Sequence, residues 1–169
     1  MMDITLAGSA DAQAIALLLR DLSDHYEQAA PEAALAEAVR HLSTPHERAG
    51  PFCLLARIEG EPAGFATLGG LFPGPNLSWG LFLEDLYVVA RHRRSGLGRA
   101  LISAAAGFAA ERGYARLEWA TDRDNARARR FYASLGVPTE ARLLYRVGGD
   151  VLPRAGRGDW PDPVEEDAP

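Results

Sequence analysis

Eighteen residues constrain this chain more than any others: Glu84 to Leu101, EDLYVVARHRRSGLGRAL. Tyr87, Val88 and Val89 are aromatic and β-branched, which suits a buried, pleated strand. Arg91 to Gly98 is a basic turn with two glycines, and Arg99-Ala100-Leu101-Ile102 opens an alanine-rich helix. A helix that starts directly after such a turn leaves amide N–H groups pointing out of its first turn. Those amides and the positive end of the helix dipole form an anion site, with phosphate as its usual occupant. A dinucleotide fingerprint counted from Gly96 needs Gly or Ala at its sixth position, where Leu101 stands. A Walker loop needs Lys and then Ser or Thr, and neither follows Gly98. What stays is Arg93-x-x-Gly96-x-Gly98 after an apolar strand, open both to a phosphate ligand and to an ordinary solvated turn.

The rest of the chain reads as alternating short elements. Ile4 to Leu6 suggests a first strand. A helix through Ile15, Leu18 and Leu22 follows, with Ser9 and Asp11 as candidate caps. Pro31-Glu32 starts a second helix with Leu35, Val39 and Leu42 on its apolar stripe. Between these helices Asp24 to Gln28 is polar and reads as a solvated connection. Phe52–Ile58 and Ala63–Phe72 form a hairpin about Glu59-Gly60-Glu61-Pro62, and Trp79–Val89 is the strand that feeds the glycine turn. A helix from Gly98 to Arg112, a strand from Ala115 to Ala120, a helix capped by Asp124 or Asn125 and a strand from Arg142 to Val147 complete the pattern.

The expected architecture is a mixed α/β (α+β) single domain over residues 1–150. An acidic, Pro/Gly-rich tail over 151–169 is expected to be partly disordered. The net charge of -5 and the absence of stacking aromatics within Arg91–Arg94 argue against a nucleic-acid partner. The single cysteine, Cys53, sits in an apolar run, so a buried strand residue is expected, with neither a disulfide nor a metal site. No apolar run is long enough for a membrane span, and Met1-Met2-Asp3 lacks a signal-peptide pattern, so a cytoplasmic protein is expected.

Downstream, Asn125-Ala126-Arg127-Ala128-Arg129-Arg130-Phe131-Tyr132-Ala133-Ser134-Leu135-Gly136 carries a second motif. With Arg93-x-x-Gly96-x-Gly98 it resembles the two signatures of the GCN5-related N-acetyltransferase (GNAT) family. The second signature, Asn-x-x-Ala-x-x-Phe-Tyr-x-x-Leu-Gly, is matched at every specified position. Glu84-Asp85-Leu86-Tyr87-Val88 is most similar to the branch containing spermidine/spermine and other small-amine acetyltransferases. The resemblance implies a mostly antiparallel, splayed sheet flanked by helices, with acetyl-CoA as co-substrate. It implies that backbone amides of Arg94, Ser95, Gly96, Leu97, Gly98 and Arg99 take the pyrophosphate, with Arg93 shaping the turn. The pantetheine arm would lie along Leu86 and Val88, with Asn125 facing it. Asn125 can equally be a plain helix cap.

Acetyl transfer to an amine sets three demands. An alkylammonium with a pKa of about 10.4 is neutral only to roughly a thousandth or less at pH 7, so its proton must go somewhere. The thioester oxygen needs a donor, and the resemblance assigns the Val88 amide. The departing thiolate needs a proton, and the resemblance puts Tyr132 there. Glu84 is the candidate base, with Asp85 on the opposite face by strand alternation and water as the alternative. Asp21, Asp24, Glu27, Trp79 and Phe82 are candidates to line a cationic-acceptor pocket. The expected activity is therefore transfer of acetyl to a small-molecule primary amine, such as a polyamine, an amino acid or an aminated metabolite, by a possible homodimer. An acyl-CoA-binding module without catalysis and a protein N-terminal or lysine acetyltransferase are the other readings.

Overall fold

A computed structural model describes residues 1–44, 46–141 and 144–162. The chain forms two compact units, Met1–Phe131 and Tyr132–Pro169. The first holds a five-stranded sheet of strands β1 (Met2–Leu6), β2 (Phe52–Ile58), β3 (Glu61–Leu71), β4 (Gly80–Val88) and β5 (Leu117–Trp119), in that spatial order. The β1–β2, β2–β3 and β3–β4 pairs are antiparallel, and β4–β5 is parallel. Helices α1 (Ala12–His25), α2 (Glu32–Leu42) and α3 (Leu97–Glu111) flank it. The mixed α+β, mostly antiparallel open sheet expected from the sequence is present.

Strand β2 shows why hydrophobic alternation is absent from Phe52-Cys53-Leu54-Leu55-Ala56: both of its faces are covered. Cys53 and Leu55 lie in one core with Ile15 and Leu18 of α1, Leu42 of α2, Phe65, Tyr87 and Val89. On the other face Phe52 packs edge-on to Phe108 of α3, with ring centroids 5.0 Å apart. Leu55, fully buried, contributes about 2–3 kcal/mol by its removal from water. Cys53 is buried as expected, and desolvation pushes its thiol up to about 12, so it stays protonated. The β2–β3 hairpin turns on Glu59 (φ 54°) and Gly60 (φ 88°), a pair of left-handed residues whose twist matches the flanking strands.

Two local expectations are revised. Asp11 does not cap α1 with its side chain. Its carboxylate turns back to accept the Gly8 N–H at 2.9 Å and meets the Arg57 guanidinium at 2.6 Å. The strand expected over 142–147 is not seen over 144–147, where no regular element forms; residues 142 and 143 lie outside the described residues. Helix α4 (Ala126–Ala133) carries the chain into the second unit, where Arg154 of a five-residue helix, α5 (Val151–Ala155), pairs with Asp159 at 2.7 Å. Composition gave no sign of α5 within the acidic tail.

Candidate active site

Strand β4 carries the site because its two ends have different neighbours. Leu81, Phe82 and Leu83 pair with Leu117, Glu118 and Trp119 of β5, and the ladder stops there. From Glu84 to Val88 the β5 side of the strand is an open edge among the described residues. Val89 donates its N–H to Ala63 of the β3 side at 3.0 Å. In an antiparallel ladder the residues exchanging bonds with a neighbour alternate with residues whose N–H and C=O face away. Leu86 and Val88, opposite Ala66 and Gly64, therefore turn their backbone groups toward the open edge. Splay and amide direction together make a place where an extended, amide-bearing chain can add to the sheet.

Glu84 owes its position to a register shift. Thr67 pairs with Asp85, but Leu68 pairs with Leu83, which leaves Glu84 as the extra residue of a bulge. Glu84 is exposed. Asp85 is held instead by the Thr67 hydroxyl, which donates to its carboxylate at 3.0 Å and accepts its N–H at 3.1 Å. Glu84 is thus exposed at the bulge while Asp85 is engaged by Thr67.

At the end of β4 the chain passes through the basic turn. Arg93 folds back and donates from Nε to the Val88 carbonyl at 3.0 Å. Arg94 is left-handed at φ 68°, and the Ser95 hydroxyl donates to the His92 carbonyl at 2.7 Å. Gly96 precedes α3 at φ 88° with nothing within 4 Å of where a Cβ would stand, so backbone conformation, not crowding, calls for glycine. The first bond into the helix runs from the Ala100 N–H to the Gly96 carbonyl at 3.0 Å, and the Leu97 and Gly98 amides stand ahead of it at the helix mouth. Leu97 itself is buried at the start of α3. Gly98 lies against the Phe131 ring, whose nearest atom is 3.4 Å from where a Cβ would sit. Asn125 caps α4: its Oδ1 accepts the Ala128 N–H at 3.0 Å. Arg94, Ser95, Gly96, Arg99 and Asn125 are all exposed. A depression of about 390 Å³ lined by Ile4, Leu6, Leu54 and Phe108 includes none of these residues.

The sequence alone did not pair Tyr87 with Asp21. The Tyr87 hydroxyl donates to the Asp21 carboxylate at 2.6 Å across 66 residues. Burial, with the Asp21 carboxylate beside it, pushes the phenol up to about 12. Asp21, expected along a cationic pocket, therefore commits one oxygen to the sheet. Trp79, from the same expected set, stacks with Phe72 at 4.9 Å between centroids.

The model of the acetyltransferase (GNAT) family matches residues 15–137. The chain belongs to this family. As a GNAT enzyme it is an acetyl-CoA-dependent N-acetyltransferase. It is 33% identical over 144 residues to an uncharacterized N-acetyltransferase of Bacillus subtilis, covering 85% of this chain and 95% of that one. It is 31% identical over 157 residues to the thialysine N-epsilon-acetyltransferase of Bos taurus, covering 86% and 92%. Among solved structures, an integron cassette protein from the mobile metagenome of V. cholerae superposes with a TM-score of 0.80 at 26% identity, over 92% of this chain and 98% of that one. No helix among the described residues is long and apolar enough to cross a membrane.

Proposed function

We propose that this GNAT enzyme transfers acetyl from acetyl-CoA to the primary amine of a small, cationic molecule. The observation that carries the reading is the open β4 edge, with Leu86 and Val88 turned outward, ending in a helix mouth with left-handed Gly96 and the Gly98 amide. A pyrophosphate joined to an amide-bearing arm needs both features in that order. The residues present fit it: Arg94 to Arg99 would hold the pyrophosphate, and Leu86 and Val88 the arm. Bound there, the thioester supplies the activated acetyl group.

The remaining chemistry falls to the chain. The Val88 N–H donates toward negative charge developing on the thioester oxygen. Tyr132 gives a proton to the departing sulfur, and Glu84, exposed at the bulge, takes the proton of the ammonium directly or through water. The likeness to a thialysine N-epsilon-acetyltransferase supports an aliphatic amine on a small molecule as acceptor, and Asp24 and Glu27 add negative charge beyond Asp21. A homodimer and a cytoplasmic location remain part of the proposal. The test is acetyl-CoA consumption across a panel of polyamines, basic amino acids, aminoglycosides and a lysine-bearing peptide. Turnover confined to the peptide would replace the small-molecule reading with protein acetylation. Binding without thiol release from any amine would leave an acyl-CoA-binding module.

A further inference from the structure

Two grips are needed on one extended ligand, the outward backbone of β4 and the glycine turn, and their spacing must be fixed. Among the described residues, the Arg93 side chain links the two. It belongs to the turn, yet its Nε donates to the Val88 carbonyl at 3.0 Å. A guanidinium on a flexible stem does not hold one geometry unaided. Here its Cζ lies 5.8 Å from the centre of the Tyr87 ring, within cation–π range. The ring in turn is fixed at its far end by the 2.6 Å bond to Asp21 on α1, and along its edge by Phe65, at 5.9 Å between centroids.

We infer that Asp21 is a positioning residue for the acyl-cofactor site, acting through Tyr87 and Arg93 to hold the Val88 carbonyl and the glycine turn in register. The inference rests on the acetyl-CoA reading of that site. Asp21 reaches the site through the Tyr87 hydroxyl. Its carboxylate orients the phenol, the ring face seats the guanidinium, and the guanidinium sets the Val88–Val89 peptide. Asp21 also lies one turn before His25, whose ring is 6.2 Å from Tyr87, so the end of α1 is tied to the cofactor edge by the same residue.

The competing account is that Asp21 only satisfies a part-buried hydroxyl. Calorimetric titration with coenzyme A separates the two. Tyr87→Phe and Asp21→Ala should each weaken binding about fivefold or more and raise the KM for acetyl-CoA, and Tyr87→Phe, which keeps the Asp21 charge, should leave the amine KM within about twofold. Asp21→Asn, whose Oδ1 still accepts from the phenol, should stay within about threefold of wild type. In an Arg93→Ala background Tyr87→Phe should add little, because the chain is already cut. Unchanged coenzyme A affinity in folded Tyr87→Phe, or full additivity with Arg93→Ala, overturns the positioning role. Tyr87→Phe removes a single oxygen, so it carries the test even if Asp21→Ala does not fold. Failure of the wild-type protein to bind coenzyme A overturns the reading of the site itself, and this inference with it.

Discussion

Thr67 and Asp85 hold each other twice across β3 and β4, hydroxyl to carboxylate at 3.0 Å and amide to hydroxyl at 3.1 Å. This pair fixes where the ladder slips, so Glu84 bulges out of register while Asp85 stays engaged. If Glu84 takes up the ammonium proton, Glu84→Gln keeps the shape and loses the acceptor. Turnover should fall about a hundredfold near neutral pH, the lower range for a general base. The deficit should shrink at high pH, where the amine is already neutral. A pH–rate profile superimposable on wild type removes Glu84 from the mechanism.

A Cβ added at Gly98 would already touch the Phe131 ring, at 3.4 Å. Gly98→Val should force its branches toward the helix mouth and weaken coenzyme A binding at least tenfold by calorimetry, the scale of losing one or two amide contacts to an anion. Circular dichroism should remain that of the native fold. Undiminished affinity in the folded variant would show that the turn does not hold the pyrophosphate.

Tyr132→Phe keeps the ring and removes the proton. With Tyr132 as the acid, turnover should drop about a hundredfold to ten-thousandfold with little change in acetyl-CoA affinity. Turnover within about twofold of wild type, with chemistry rate-limiting, would mean that the thiolate takes its proton from water.

Asp11 links the entry to α1 with β2. The Gly8 N–H, first, and the Arg57 guanidinium hold its carboxyl below the ordinary carboxylate range, against the opposing effect of burial. A folded-state pKa below the unfolded one stabilises the protein above the unfolded value, and that contribution is lost as pH falls through the folded one. Asp11→Asn should therefore cost about 1 kcal/mol at pH 7, the net worth of one intramolecular hydrogen bond. The gap to wild type should close as pH drops below about 4. Denaturant melts at the two pH values check this, and a gap that persists in acid would assign the effect to shape.

Short-range chemistry made much of this protein legible from the sequence. The strand before Arg91, the glycine turn, the Glu59-Gly60 hairpin and the Asn125 cap each depend on backbone preferences within a few residues, and the structure contains them. Two motifs in order were enough for the family. Three further features depend on partners distant in sequence. The Glu84 bulge exists only against Thr67 and Leu68 of β3, the open edge only because β5 pairs over three residues, and the Asp21–Tyr87 bond joins residues 66 apart. The expected strand fails over 144–147 although Leu144, Tyr145 and Val147 suit one by propensity. A strand is stabilised by its ladder and its covered face, and neither is written in the six residues that would form it.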